Sequence, residues 1–491
     1  MRTLLKDPDL FREAALVNGE WLATTAHGTY DLRNPATGEL LARLPRCKEQ
    51  EVGRAIEAAD AAFRQWRKTT AKQRSEAVRR WYELIVAAKD DLATLITLEE
   101  GKPLSEARGE VDYAAGFVQW FAEEAKRVRG DVIPSPRETQ RIVVLKQPVG
   151  VCAAITPWNF PAAMIARKAA PAIAAGCAMV VKPASQTPLT ALALGELARR
   201  AGIPAGVYNV ITGNDTRVIG GLLTSHPLVR KVTFTGSTEV GRVLLRQSAE
   251  TIKKCSMELG GNAPCIVFDD ADLDAAVEGI LVAKFRNTGQ SCIAANRVLV
   301  QDGIYDRLAA RLAQRTGALK VGNGLESGVE IGPMIDVPAV EKVEQHLGNA
   351  IAAGAKVLAG GKRHALGGSF FEPTVLTDVT LDMTVAREET FGPVMPLLRF
   401  KTEAEAIALA NDSEFGLASY LFSRDAARVW RTAEALESGM VGVNTGFIST
   451  EVAPFGGVKQ SGLGREGSQY GIDEYVEIKY VCWDGLGPAR D

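Results

Sequence analysis

Apolar residues along the chain recur with two different spacings. Stretches 51–66 and 71–100 carry them three and four positions apart, the spacing of amphipathic helices, so the first 130 residues read mainly as helical. The polar stretch GDVIPSPRETQ breaks this pattern with Gly130, Pro134 and Pro136, and a strand is expected over 141–146. From Val149 the texture changes. Short apolar runs (VGVCAAITP, AMVVKP, GVYNVIT, RKVTFTG, KKCSMELGG) alternate with helical segments that open at Pro161 and Pro188. That alternation predicts βαβ units, with helices on both faces of a parallel sheet. A second series starts near Asn262 with APCIVFDD and a helix from Asp272, and runs to about residue 470. The tail DEYVEIKYVCW reads as a further strand in need of a partner.

The length of 491 residues calls for two or three domains. The balance of 57 basic against 59 acidic residues gives a formal charge of −2, so no global field attracts nucleic acid or an anionic membrane. The N-terminus lacks the apolar core of a signal peptide and carries Asp7, Asp9 and Glu13. The longest apolar run, 169–181, is expected to break at Pro171 and Gly176, too short for a membrane span. Seven scattered cysteines without a CxxC pair argue against a disulfide framework or a zinc site. The expected setting is the cytoplasm, with no metal.

Several segments carry candidate chemistry. Cys292, in FRNTGQSC, follows Gly289 and the small Ser291. Taken alone, it reads equally as an exposed nucleophile or a plain buried thiol. Asn159, held between prolines in TPWNFP, suits an oxyanion donor but also a turn. Glu258, at the end of a strand before Gly260 and Gly261, is a candidate base or an ordinary solvated carboxylate. FTGSTEVG places Gly236 and Ser237 at a helix start able to hold a pyrophosphate, and VVKPAS brings Lys182 and Ser185 to the same crevice. GLGREG at 462–467 matches a dinucleotide fingerprint in letters only. It follows no clear strand, and reads as a loop.

TPWNFP, VVKPASQTP, FTGSTEVG, MELGGNAP, FRNTGQSC, EETFGPV and PFGGVKQSGLGREG stand in the order and spacing of the aldehyde dehydrogenase superfamily, which the chain resembles over nearly its whole length. Its C-terminal segment is most similar to succinate-semialdehyde dehydrogenases, with glutarate-semialdehyde dehydrogenases next. The resemblance implies an α/β fold: a Rossmann-like nucleotide domain (1–127 and 149–257), an α/β catalytic domain (258–470) and a β oligomerisation arm (128–148 and 471–491). It makes Cys292 the nucleophile, Glu258 the base and Asn159 the oxyanion donor, helped by the Cys292 backbone N–H. Trp158, Lys182, Ser185, Gly236, Ser237, Leu259, Glu389 and Phe391 would line the coenzyme site. Arg167 and Arg286, with Ser449, would grip a substrate carboxylate between apolar walls from Phe160 and Phe455. The implied reaction is NAD(P)-dependent oxidation of succinate semialdehyde, or alternatively of glutarate semialdehyde, by a homodimer or homotetramer. Many NAD-selective relatives have Glu where this chain has Ser185, so NADP is expected to be preferred and NAD accepted. Ala294 replaces the second cysteine that some relatives use as a redox switch. Two rival readings are a coenzyme-free thiol esterase, which leaves Lys182, Gly236 and Glu389 without a task, and a non-catalytic protein on the same fold.

Overall fold

The structure is a computed structural model that describes residues 2–487. The outermost limits of the expected domains, residues 1 and 488–491, lie outside the described residues.

Two parallel-centred sheets frame the molecule. The first is eight-stranded, in the order Glu20–Leu22, Ala15–Val17, Tyr208–Val210, Ala178–Lys182, Val151–Ile155, Val229–Thr235, Lys254–Glu258, Gly462–Leu463. Its inner strands are parallel and almost wholly buried, because helices cover both faces. The second is seven-stranded, in the order Lys356–Ala359, Thr374–Thr377, Val394–Phe400, Ala295–Gln301, Ala263–Val267, Ala418–Phe422, Met440–Val443. A third, three-stranded sheet joins Asp131–Ile133, Arg141–Pro148 and the tail strand Val476–Trp483. The tail thus finds its partner within the same chain, paired from Val476↔Pro148 to Trp483↔Arg141.

Four sequence expectations need correction or refinement. The first 130 residues are mainly helical, as expected, but strands at Ala15–Val17, Glu20–Leu22, Thr29–Arg33 and Leu40–Pro45 precede the first long helix, Glu49–Trp66. The first two are too short to display an alternation. Their readable signal is Asn18-Gly19, which turns the hairpin with φ of 52° and 78°. The stretch 71–100 is two helices, Ala71–Ala87 and Lys89–Glu100, divided at Ala88. Pro171 does not break its segment. The helix Ala163–Ala175 runs through it with every residue buried, so packing outweighs a local cost of about 3 kcal/mol. Gly176 ends that helix at φ 102°. Finally, GLGREG is not all loop. Gly462–Leu463 forms an edge strand antiparallel to Met257 and Glu258. A side chain at Gly462 would lie 1.9 Å from the Met257 carbonyl oxygen, so only glycine permits this approach.

Both sheets point strand ends at the cleft between them. Glu258 closes the last parallel strand of the first sheet, and Ala263 opens a strand of the second. Among the described residues, no helix is long and apolar enough to cross a membrane.

Candidate active site

Cys292 follows the helix Leu273–Phe285 through a tight turn. Asn287, Thr288 and Gly289 adopt φ of 53°, 58° and 75° in succession. Two of these are non-glycine residues in the left-handed region, a strained arrangement that persists only where the surroundings over-determine it. Here they do. The Asn287 N–H donates to Glu106 Oε2 at 2.8 Å, the Thr288 hydroxyl to the Gly332 carbonyl at 3.1 Å, and the Ile335 N–H to Gln290 Oε1 at 2.9 Å. The result is a thiol that is partly exposed to a cavity of about 300 Å³ shared with Asn159, Leu259, Glu389 and Phe391. Burial pushes this thiol up to about 12, with Arg167 opposing the shift. At neutral pH it is therefore protonated and needs a base.

Asn159 lies between the strand Val151–Ile155 and the helix Ala163–Ala175. Its side-chain amide donates to the Gln290 carbonyl at 3.0 Å, leaving its second N–H for the cavity. Glu258 is only 2% exposed, and neither of its carboxylate oxygens has a hydrogen-bond partner. Burial, then the negative charge of Glu466, holds its pKa well above the usual carboxylate range. Glu466 in turn forms ion pairs with Arg167 and Lys168. Although burial opposes it, these cations keep Glu466 below its usual value. One carboxylate is thus held as an anion while its neighbour is pushed toward the protonated form, so the two environments drive the pair apart.

A second cavity of about 520 Å³ adjoins the first, and both are lined by Trp158 and Gly236. Its charged lining comprises Lys182, Arg217 and Glu239, and Ser185 lies on the same wall. Burial lowers Lys182 to about 8, and its ammonium donates to the Pro183 carbonyl at 2.6 Å, with donors to spare. The helix Thr238–Ala249 begins here, capped by Ser237, with its free N-terminal N–H groups toward the cleft. A side chain at Gly236 would meet the Phe234 ring at 2.4 Å, which keeps this approach open. The donors, the small residues and the cavity fit a dinucleotide. On the thiol side, Glu389 is raised to about 7 by burial and accepts from the Gly261 N–H at 3.3 Å. Trp158 and Phe391 meet edge to face at 5.5 Å.

A third cavity, of about 410 Å³, is lined by Tyr113, Phe285 and Phe447 and by the charged Glu106, Glu278, Arg286, Arg315 and Glu330. Arg286 sits between the rings of Phe160 and Phe447, at 4.9 and 5.1 Å, with Nη1 3.4 Å from the Ser449 hydroxyl. Arg167 differs from the expectation of an open substrate cation. It is 1% exposed, tied to Glu466, and lies 4.1 Å over the Phe455 ring. Its Nη2 nevertheless has no hydrogen-bond partner. Phe160 also differs from a plain apolar wall, because it carries Lys102 at 3.8 Å as well as Arg286.

Several buried polar groups around the thiol escaped sequence reasoning. Glu466 was hidden in the segment read as loop. Lys102, Glu106 and Glu110 recur every four residues, a spacing easily read as a solvated helix face, yet Lys102 and Glu110 are each 1% exposed. The Tyr113 hydroxyl is buried without a partner, within the field of Arg167 and Arg286.

A family model described as "Aldehyde dehydrogenase family" matches residues 21–481. Three curated relatives are similar over nearly the full length. A glutarate-semialdehyde dehydrogenase of Pseudomonas aeruginosa is 61% identical, covering 98% of this chain and 100% of the relative. A 3-sulfolactaldehyde dehydrogenase of Pseudomonas putida is 62% identical, covering 98% and 99%. An NADP(+) succinate-semialdehyde dehydrogenase of Escherichia coli is 60% identical, covering 97% and 99%.

Proposed function

The chain belongs to the aldehyde dehydrogenase family, and from that premise we propose that it oxidises a small aldehyde carrying its own acid group, with succinate semialdehyde as the first reading and glutarate semialdehyde as the second. NADP is the preferred coenzyme and NAD is accepted. The observation that carries the substrate reading is Arg286. It is half-buried at the third cavity, backed by the Ser449 hydroxyl, and has no ion pair among the described residues. Glu106 lines the same cavity and feels the Arg286 charge but forms no ion pair with it, which leaves guanidinium donors for a ligand carboxylate. The three relatives named above act, by their names, on aldehydes that carry an acid group.

The chemistry follows from the geometry. Glu258, once ionised, takes the proton of Cys292, and the thiolate adds to the aldehyde carbon to give a thiohemiacetal. The free Asn159 amide N–H and the Cys292 backbone N–H stabilise the resulting oxyanion. Lys182, Ser185, Gly236 and Ser237 would hold the coenzyme's phosphates and ribose, with Trp158, Leu259, Glu389 and Phe391 around the redox end. When bound, that coenzyme accepts the hydride. The acyl group remains on Cys292 as a thioester; once Glu258 has passed the thiol proton to solvent, it deprotonates a water that attacks the thioester, releasing the acid and the Cys292 thiolate. Ser185 places no carboxylate against a ribose 2′-phosphate, and Lys182 and Arg217 offset Glu239 in the same cavity.

The division of labour among the sheets follows the same reading: the first sheet carries the coenzyme, the second the thiol, and the three-stranded sheet mediates self-association. The deciding experiment is a kcat/KM panel of three- to six-carbon semialdehyde acids and plain aldehydes with both coenzymes. The expected optimum is an acid semialdehyde with NADP. A preference for uncharged aldehydes overturns the substrate reading, and a roughly tenfold preference for NAD overturns the coenzyme reading.

A further inference from the structure

The segment 99–110 supplies buried charges to loops far away in the sequence. Glu99 receives the Leu189 and Thr190 N–H groups at 2.7 and 2.9 Å, at the start of the helix Pro188–Arg200. Glu106 holds the Asn287 N–H in the strained turn before the thiol. Glu110 Oε1 receives the Ala162 and Ala163 N–H groups at 2.8 and 3.3 Å, at the start of the helix Ala163–Ala175. Lys102 lies among them. Its ammonium donates to Glu110 Oε2 at 2.6 Å and to the Asn159 carbonyl at 2.7 Å, and rests 3.8 Å over the Phe160 ring. Asn287 Nδ2 donates to the same Asn159 carbonyl at 2.9 Å.

The backbone carbonyl of Asn159 therefore sits in a cradle of two donors, one of them a fully buried cation. A cation buried this deeply is costly to strip of water and persists only where its partners are fixed. Lys102 Nζ has four such partners: the Glu110 carboxylate, the Asn159 carbonyl, the Phe160 ring face and, at 3.9 Å, the buried Glu100 carboxylate. Together with Glu110 on the following N–H groups, it fixes residues 159–163 from both sides and sets the direction of the Asn159 amide.

We propose that Lys102, seated on Glu110, is a positioning residue that aims the Asn159 amide at the oxygen of the reacting aldehyde. The role rests on the reading of Asn159 as oxyanion donor. Lys102 touches neither substrate nor coenzyme and acts through the Asn159 carbonyl. Its loss lets the 159–163 loop shift, so that the amide no longer meets the developing charge.

The test is the pre-steady-state burst of NADPH with the full-length enzyme. Removing an oxyanion donor slows chemistry by roughly 10²- to 10³-fold, so Asn159→Ala sets the scale. Lys102→Met is expected to slow the burst roughly 10- to 100-fold with the NADP Kd unchanged within about twofold. Lys102→Arg keeps the charge and recovers part of the rate. Glu110→Gln keeps the helix-capping acceptor while loosening the lysine, and slows the burst less than Lys102→Met. In the Lys102→Met/Asn159→Ala double variant the burst is no slower than in Asn159→Ala alone. A Lys102→Met burst at the wild-type rate, or losses that multiply in the double variant, overturn the positioning role while leaving Asn159 in place. A normal burst in Asn159→Ala overturns the donor reading and this proposal with it. If Lys102→Met does not fold, the decision passes to Lys102→Arg and Glu110→Gln, and wild-type bursts in both overturn the proposal.

Discussion

Arg286 and Glu258 show how much a single charge depends on what surrounds it. Arg286 has a hydroxyl and two rings around it, so a ligand carboxylate is its natural counter-ion. Arg286→Ala is expected to raise KM for a semialdehyde acid roughly 10- to 100-fold, the loss of one charge-assisted contact of ~1.5–3 kcal/mol. Steady-state kinetics showing an unchanged KM would remove Arg286 from the substrate site. Glu258 has the opposite setting. Burial and the Glu466 anion raise its pKa, so its protonated form, idle as a base, persists above the pH at which an ordinary carboxylate ionises. As pH climbs through the raised value, the ionised fraction grows and acyl-enzyme hydrolysis accelerates. A kcat profile taken upward from the ordinary carboxylate range should therefore rise, and Glu258→Gln should flatten it at a low rate. A flat wild-type profile contradicts the assignment. Cys292, Asn159 and Glu258 stand out in the sequence as candidates only as members of a motif set, since each alone suits an inert role. The partners of Arg167 were not legible. Glu466 lies far along the chain, and nothing local to either residue announces their pairing.

Elements were read best where apolar runs are long and bracketed by turn residues. The strands at 151–155, 178–182 and 263–267 and the helix from Pro188 stand where the pattern put them. The misreadings share a cause. Three-residue strands such as Ala15–Val17 and two-residue strands such as Gly462–Leu463 exist because a neighbouring strand offers hydrogen bonds, and too few residues remain to display a period. Pro171 stayed inside a helix for the same reason: the tertiary surroundings decided. The turn before the thiol is the element most exposed to this logic. Gly289 has φ of 75°, and a side chain there would lie 2.3 Å from the Gly392 carbonyl oxygen. Gly289→Ala is expected to cost at least about 1–2 kcal/mol in stability from the backbone alone. It should also slow alkylation of Cys292 as the turn shifts, and denaturant midpoints with iodoacetamide kinetics measure both. A variant with native stability and native thiol reactivity would show the turn to be tolerant.

At the scale of the molecule, the three-stranded sheet is the clearest unfinished surface. Val132, Ile478 and Trp483 are 78%, 72% and 65% exposed on it. Exposed apolar side chains gathered on one sheet suit the self-association proposed for it. Ile478 and Tyr480 lie two positions apart and therefore on one face. Ile478→Asp combined with Tyr480→Asp is expected to shift the assembly toward smaller species in light scattering. An unchanged mass would place the contact elsewhere. The sequence by itself determined the α/β alternation, the helix and strand types of the longer segments, and the residue types able to carry thiol chemistry. These are properties of periodicity and composition, which act over a few neighbouring positions. Only the tertiary structure decided which buried charges neutralise one another: Glu466 with Arg167 and Lys168, and Lys102 with Glu110 beneath Asn159. Such pairs join residues from 8 to about 300 positions apart. Their energy comes from excluding water around both partners at once, and that condition exists only after the chain has packed.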